Sequence, residues 1–304
     1  MPQGERDIRY EASVKGLVTA THRRHCAVRL DDGRTISCVY RGRHLALACG
    51  DRAQVSLIGD EGVIEAVEPR TSLFFRSDAH REKLLAANVT QVLGIVAPDP
   101  PYDDELVHRW IIAAEANDCS FALIANKCDL PEFATLKSRL AQFEALRYRV
   151  IEIAAKRDAS PVAPLLEGQR SVLIGQSGMG KSTLINTLIA SAGARVGELS
   201  GSLRAGRHTT TETTLYALDD ESWIVDSPGM KEFGLGHLAA ADVEHAFVEL
   251  RALLGSCRFR NCRHETEPGC AVQEAVARGD VKPWRVALLR QLLADTERRA
   301  RRWA

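Results

Sequence analysis

The stretch "GQSGMGKST", residues 175–183, is the most informative motif in the central part of the chain. It matches the pattern G-x-x-x-x-G-K-[ST], follows the apolar run "SVLIG" (171–175) and precedes the helical pattern "STLINTLIA" (182–190). A glycine-rich turn between a strand and a helix allows backbone N–H groups and the positive end of the helix to surround phosphate oxygens. This context predicts a phosphate-binding loop.

Each residue of the loop has an expected role in holding a nucleotide. Lys181 is expected to reach the β- and γ-phosphate oxygens and to act in catalysis, and the hydroxyl of Ser182 is expected to bind Mg²⁺. The other residues expected to surround the nucleotide are Gly175, Gln176, Ser177, Gly178, Met179, Gly180 and Thr183.

A second motif follows the next predicted pair of strands. Asp226-Ser-Pro-Gly229 fits D-x-x-G, in which the aspartate holds Mg²⁺ through a water molecule and the glycine N–H meets the γ-phosphate. A threonine hydroxyl between the two motifs is needed to complete the Mg²⁺ site. The sequence does not distinguish among Thr209, Thr210 and Thr211 for this role. We take Thr210, the middle residue, as the working assignment for the Mg²⁺ site.

The stretch "IANKCDL", residues 124–130, contains N-K-x-D after an apolar run and predicts the base. The Asp129 carboxylate can accept hydrogen bonds from both N1–H and the N2 amino group of guanine, a pair of donors that adenine lacks. We therefore expect GTP or GDP rather than ATP. Asn126 should face the O6/N7 side of the base, and the stem of Lys127 should cover it. A backbone N–H of Ala154 or Ala155, in "IAAK" (153–156), should meet guanine O6.

The order of these motifs is reversed relative to the usual GTP-binding domain. There the phosphate loop follows strand one, D-x-x-G strand three and N-K-x-D strand five, whereas this chain has the order four, five, six, one, two, three. A circular permutation can retain the site because the ends of a compact domain often lie close together. We predict an α/β domain over 69–236 with a mostly parallel sheet. Its predicted strands are 91–97, 121–125, 149–155, 171–175, 214–218 and 222–226, with a helix at 103–117.

Residues 1–68 have the pattern of an all-β domain. Short β-rich runs are separated by turn signals, of which Asp31-Asp32-Gly33 is the strongest. Five short strands in this length predict a small closed barrel of the OB type. Positive residues at 22–25 and 41–44 are either a solvated loop face or an RNA-binding surface.

Residues 237–304 contain the spacing Cys257-x4-Cys262-x-His264-x5-Cys270. Three thiolates and one imidazole suit a closed, structural Zn²⁺ site, whose metal would be coupled to the folding of a small helical domain. The alternative is a set of three buried thiols and an unrelated histidine. The basic end of the chain is either a solvated terminus or a tail that contacts RNA.

The composition is that of an ordinary globular protein, with 45% hydrophobic and 26% charged residues and no net charge. A zero net charge implies no global attraction to a polyanion, so any contact with nucleic acid must come from local patches. No apolar run approaches the roughly 18 residues of a membrane span, and the polar N-terminus has no signal-peptide core. We expect a cytoplasmic protein without a membrane partner.

Taken together, the permuted motif order, "GRHTTT" (206–211), "DSPG" (226–229), the N-terminal barrel and the Cys-His-Cys cluster resemble the ribosome-small-subunit-dependent GTPase A family (RsgA/YjeQ). The resemblance covers essentially the whole chain. It implies a monomeric GTPase that acts late in assembly of the small ribosomal subunit and binds its rRNA, with hydrolysis stimulated by the subunit and coupled to release. The alternative is a GTP-gated RNA-binding module in which hydrolysis is incidental.

Water activation is a separate question, because Met230 stands where many relatives place a water-orienting glutamine. His237 is the nearest candidate within the chain, and in the resembling family a histidine at the matching place has been suggested to be catalytic. A lone histidine after such a segment can equally be a packing or solvent-facing residue. Both hypotheses for the chain predict slow intrinsic turnover.

Overall fold

A computed structural model of the chain describes residues 13–22, 25–40, 46–77, 82–191, 213–226 and 233–303. Its main feature is a sheet of eleven strands, one half of which is a barrel and the other half the sheet of an α/β domain. Among the described helices, none has both the length and the apolar character that crossing a membrane requires.

The N-terminal strands close into a five-stranded barrel, as the sequence predicts. In β2 every second residue is buried, the period expected when one face of a strand points into a core. Strand β1 pairs with both β2 and β4, and β3 pairs with β5, so the order β1-β2-β3-β5-β4 returns to β1. The strands are β1 (Ser13–Thr21), β2 (His25–Leu30), β3 (Thr35–Tyr40), β4 (Arg52–Ile58) and β5 (Glu61–Val67).

A two-stranded hairpin, absent from the sequence-based expectations, follows the barrel. It consists of β6 (Leu73–Ser77) and β7 (Glu82–Ala87) and forms a sheet of its own. The N–H of Ala87 donates to the carbonyl of Cys49 at 2.8 Å, which ties the hairpin to a loop of the barrel. A hairpin with mixed apolar and charged residues lacks a clear period-2 pattern, and this hid it from the sequence.

The α/β domain has the strand order β10-β9-β8-β11-β13-β12. All neighbours are parallel except β12, which is antiparallel to β13. Numbered as in the usual GTP-binding domain, this order is six, five, four, one, three, two, so the permuted connectivity leaves the arrangement of the sheet unchanged. The strands are β8 (Gln91–Val96), β9 (Ser120–Ala125), β10 (Arg149–Glu152), β11 (Arg170–Ile174), β12 (Thr214–Ala217) and β13 (Trp223–Asp226).

Helices cover this sheet and bury most residues of its central strands. Every residue of β8 is buried, as expected for a parallel strand with helices on both faces. The helices are α1 (Asp104–Glu115), α2 (Phe133–Ala145), α3 (Ala163–Leu166) and α4 (Lys181–Ser191). The predicted helix at 103–117 is thus present, and Asp103 caps it by accepting from the N–H of Glu105 at 2.9 Å.

The C-terminal segment is helical and packs on the side of the α/β domain. It consists of α5 (Ala240–His245), a 3₁₀ turn (Val248–Leu253), α6 (Ala271–Arg278) and α7 (Pro283–Trp303). The two segments meet at a buried polar network. Arg285 of α7 binds Glu249 through Nε at 2.5 Å and Nη2 at 3.1 Å, and its Nη1 lies 3.1 Å from Nδ1 of His108 on α1.

Candidate nucleotide site and metal centre

The predicted nucleotide motifs meet at one edge of the sheet. Gly175 follows β11, Asp226 ends β13, and Asn126 follows β9. These strands are parallel, so their carboxyl ends lie side by side, which is where open α/β sheets bind ligands. Motifs that are far apart in the sequence, and in the reverse of the usual order, are therefore adjacent in space.

The phosphate loop depends on glycine at defined positions. Gly178 and Gly180 have φ of +84° and +100°, in the left-handed region that favours glycine. A Cβ on Gly180 would lie 2.2 Å from Nδ2 of Asn126. Ser177 and Ser182 are exposed on this loop, whereas Met179 is fully buried beneath it. Thr183 follows in the first turn of α4, so the loop leads directly into a helix N-terminus that can bind an anion.

Lys181 is buried inside its own loop. Its Nζ donates to the carbonyls of Gly175 and, at 3.1 Å, of Gln176. Burial lowers the pKa of Lys181, and the nearby Asp226 carboxylate opposes this shift. Asp226 is itself 7% exposed at the end of its strand. The site thus combines an ammonium, a carboxylate, and backbone N–H groups, a set that fits a nucleotide phosphate bound with a divalent cation.

Asn126 connects three loops of the site. Its Nδ2 donates to the carbonyl of Met179 in the phosphate loop at 2.8 Å. Its Oδ1 accepts from the N–H groups of Lys127 at 2.8 Å and Ala155 at 3.0 Å. Asn126 is 3% exposed, so these bonds are shielded from water. The second N–H of the amide remains to donate toward the N7 side of a base.

The segment 153–156 lies beside the guanine motif, but its N–H groups are not equally available. The N–H of Ala155 is taken by Asn126, and the carbonyl of Ala155 accepts from Thr187 of α4 at 3.0 Å. In this structure the Ala155 N–H is therefore engaged by Asn126, and the expected contact with guanine O6 would require Asn126 to share or release it. The carbonyl of Ala154 accepts from Arg157 and Asp158, which closes a turn.

The base-reading residues lie at the mouth of the site. Lys127 has a φ of +61°, and its Nζ donates to the carbonyl of Asp99 at 2.5 Å. The Asp129 side chain is 27% exposed, and its Oδ2 lies 3.4 Å from Nε of Arg157. Arg157 was not expected from the sequence, because a single exposed arginine outside a motif carries no signal.

Some expected residues lie outside the described part of the chain. These are Thr209, Thr210, Thr211, Gly229 and Met230. The segment that follows them is described from Phe233 onward and is held by the hairpin. The N–H of Gly234 donates to the carbonyl of Phe75 at 2.9 Å, and the ring of His237 stacks on the ring of Phe75 at 4.2 Å between centroids.

The four predicted metal ligands form one compact cluster. The ligand atoms of Cys257, Cys262, His264 and Cys270 all lie within 4.8 Å of one another. Nδ1 of His264 lies 3.5, 3.6 and 3.3 Å from the three sulfurs, and the sulfurs of Cys257 and Cys270 are 3.9 Å apart. A tetrahedral Zn²⁺ site with ordinary bond lengths requires about 3.6 Å between nitrogen and sulfur and about 3.8 Å between two sulfurs. The cluster can therefore hold a metal ion.

Comparison with known proteins identifies the family. Residues 67–236 match the family model described as RsgA GTPase. The chain is 43% identical over 285 residues to a protein of Nitrosospira multiformis named small ribosomal subunit biogenesis GTPase RsgA, with 93% of this chain and 91% of that protein covered. A protein of the same name from Neisseria meningitidis is 45% identical over 273 residues, covering 90% and 89%.

Solved structures agree with this assignment. YjeQ from Thermotoga maritima superposes with a TM-score of 0.69 at 26% identity, covering 94% of this chain and 99% of that one. YloQ, described as a circularly permuted GTPase, gives a TM-score of 0.67 at 22% identity over 97% of this chain and 99% of its own, and so supports the fold. The predicted fold class, a permuted GTPase domain with an N-terminal barrel and a C-terminal helical segment, is confirmed. The chain is a GTP hydrolase and belongs to the RsgA GTPase family.

Proposed function

We propose that this GTPase acts late in the assembly of the small ribosomal subunit, and that the subunit stimulates hydrolysis, which is coupled to release. The observation that carries the proposal is the name of relatives that are 43% and 45% identical over nine-tenths of the chain or more. The partner would be the subunit and its rRNA, bound by a monomer in the cytoplasm. The division into a barrel (1–68), a GTPase domain (69–236) and a zinc-binding helical domain (237–304) belongs to the same proposal.

At the nucleotide site, we assign guanine recognition to Asp129 with Asn126 and Lys127. Lys181 would neutralise charge on the β- and γ-phosphates, for which its ammonium must leave the loop carbonyls that it contacts in this structure. The phosphates would lie against the backbone of residues 175–183. Ser182, Thr210 and Asp226 would hold Mg²⁺, which would supply positive charge to offset the negative charge that develops on the phosphate oxygens. Gly229 would sense the γ-phosphate.

At the C-terminal site, we assign one structural Zn²⁺ to Cys257, Cys262, His264 and Cys270. The support is the donor set of three thiols and one imidazole, and spacings that suit a tetrahedral ion. Four ligands leave no open position for a substrate. The role is therefore to stabilise the fold of the segment between the 3₁₀ turn and α6.

Water activation is assigned to His237, because Met230 cannot orient water. A neutral imidazole that accepts a hydrogen bond from the attacking water typically contributes about 10²- to 10⁴-fold in rate. The stacking of His237 on Phe75 supports a defined position for the ring rather than a freely rotating one.

One assay tests the function and separates it from the alternative, a GTP-gated RNA-binding module. GTP turnover would be measured with purified small ribosomal subunits, with large subunits as the matched control. We expect small subunits alone to raise turnover by orders of magnitude. Binding of small subunits without acceleration would favour the module.

The same assay tests His237. His237→Ala should bind GTP and small subunits as the wild type does but lose most of the stimulated turnover. His245→Ala, at an exposed histidine further along the chain, is the control. If His237→Ala keeps the stimulated turnover of the wild type, another residue or rRNA must orient the attacking water.

A further inference from the structure

The metal cluster is supported from outside by two helices. His264 has a φ of +59°, a left-handed conformation that side-chain-bearing residues rarely adopt. Its carbonyl oxygen accepts hydrogen bonds from Nε2 of Gln273 on α6, at 2.5 Å, and from Nη2 of Arg290 on α7. The same Nη2 lies 3.2 Å from the carbonyl of Glu265. These donors hold the backbone of the one ligand whose conformation is strained.

The same α7 helix also holds the GTPase domain. Arg285 is 3% exposed and makes a two-point contact with Glu249. Its third nitrogen faces His108 of α1, which is fully buried. The ring of Trp284 contacts that of His108 in a tilted arrangement, with centroids 4.7 Å apart. One end of the helix is therefore anchored in the GTPase domain through the contacts of Arg285 and Trp284 with His108.

The two anchor points are close along one rigid element. Arg285 and Arg290 are five residues apart, which corresponds to about 7.5 Å along a helix axis. No loop separates them, so a displacement of α7 at Arg290 also displaces Arg285. The ion pair between Arg263 and Glu297, at 3.0 Å, adds a further contact between the metal-binding loop and α7.

We propose that Arg290 and Gln273 are positioning residues for the metal ligand His264, and that α7 couples metal binding to the docking of the C-terminal segment on α1. The inference rests on the zinc site proposed above. Without the ion, the metal bond no longer offsets the strain at His264. The carbonyl of His264 that Arg290 contacts is then free to move, and the helix loses this attachment to the metal-binding loop.

The positioning role is tested by metal affinity. Zn²⁺ binding by the full-length protein would be measured by competition with a chromogenic chelator. Arg290→Met should weaken binding by about 10- to 100-fold, the usual effect of removing a group that orients a metal ligand. Gln273→Ala should do the same and serves as the second variant if Arg290→Met does not fold. Arg298→Met, on an exposed part of the same helix with a surface ion pair, should bind Zn²⁺ as the wild type does.

These variants also separate the inference from the zinc assignment. Wild-type affinity in both Arg290→Met and Gln273→Ala would overturn the positioning role. Failure of the wild type to bind Zn²⁺ at all would overturn the assignment of the site, which is a different result.

The coupling is tested by hydrogen exchange of the wild type with and without Zn²⁺. Removal of the ion with a chelator should raise amide exchange in α1 and α7 as well as in the metal-binding loop. Exchange in α4, at the nucleotide site, is the internal reference and should not change. A change confined to residues 257–270, or an equal rise in α4, would overturn transmission through α7.

Discussion

At the scale of single residues, Gly180 shows why the phosphate loop tolerates so little change. Its φ of +100° and the 2.2 Å that would separate an added Cβ from Nδ2 of Asn126 are two separate requirements for glycine. The first costs backbone strain, about 1 kcal/mol for alanine at such a position. The second would push Asn126 away from the carbonyl of Met179 and disconnect the phosphate loop from the guanine motif.

Gly168 offers a matched control for this position. It also has a positive φ, +65°, but a Cβ there would meet nothing within 4 Å. We expect Gly180→Ala to lose at least 10-fold in GDP affinity, whereas Gly168→Ala should lose only stability, on the order of 1 kcal/mol. Isothermal titration with GDP and chemical denaturation of both variants would measure this. Equal GDP affinities in the two variants would show that the contact between residue 180 and Asn126 does not govern nucleotide binding.

Asp129 allows a direct test of base recognition. Asp129→Asn replaces a carboxylate that accepts two hydrogen bonds with an amide that accepts and donates. The binding free energy of GDP should weaken by several kcal/mol, because the N1–H and N2 amino groups of guanine lose the carboxylate that accepts from both. Affinity for xanthosine diphosphate should rise, since its C2 oxygen can accept from the new amide. Titration of the variant with each nucleotide measures the change in specificity. An unchanged GDP affinity would show that Asp129 does not recognise guanine.

At the scale of elements, the contact between α1 and α7 includes His108, a buried histidine in its neutral form. Because Arg285 can only donate, Nδ1 of His108 must accept, and its Nε2–H therefore donates to Oε1 of Gln142 at 3.3 Å. Burial, followed by the positive charge of Arg285, lowers the pKa of His108 to about 4. The hydrogen bond to Gln142, followed by the charges of Asp104 and Glu249, opposes this shift more weakly.

This pKa predicts a pH dependence of stability. In the unfolded chain a histidine takes up a proton near pH 6.5, whereas folded His108 does so near pH 4. The stability that His108 contributes is thus fully present above pH 6.5 and is lost as the pH falls toward 4, by roughly 3 kcal/mol in all. His108→Gln should flatten the decline of unfolding free energy between pH 6.5 and 4.5, measured by urea denaturation.

An exposed histidine provides the control for this measurement. His245→Gln should leave the slope of the wild type unchanged, because the side chain of His245 is exposed to solvent. Parallel curves for the wild type and His108→Gln would show that the buried histidine does not carry the effect.

At the scale of the whole molecule, the barrel and the GTPase domain share one sheet at the edge strand β12. Ala20 of β1 pairs with Thr214 of β12, and the thiol of Cys49 donates to the carbonyl of Thr213 at 3.4 Å. Thr213 closely follows the threonines 209–211, one of which is proposed to bind Mg²⁺. The first described residues after that segment are therefore bonded to the barrel.

This arrangement predicts that the barrel responds to the nucleotide. Amide exchange near Ala20 and Cys49 should differ between the complexes with GDP and with a non-hydrolysable GTP analogue. The β4–β5 turn at 58–61, which makes no strand pairing with β12, should not differ and serves as the reference. No difference at either place would mean that the shared sheet does not transmit the state of the site.

Much of the molecule was predictable from local pattern. The phosphate loop, D-x-x-G and N-K-x-D were recognisable because each requires particular residues at fixed spacing next to a strand. The metal cluster was recognisable for the same reason. The hairpin, the use of the Ala155 N–H by Asn126 and the network around His108 were not, because each depends on partners that are distant in the sequence and belong to no motif.

The class of fold, the permuted order of the strands and the chemical nature of the nucleotide and metal ligands can all be derived from the amino-acid sequence. These follow from residue type, glycine placement and apolar period, all of which are local properties. Three features required the folded structure: which backbone groups are engaged at the guanine site, how α7 contacts both the metal cluster and α1, and where the barrel pairs with β12. These follow from packing, in which a hydrogen bond or a buried charge is satisfied by whichever distant group the fold brings within about 3 Å.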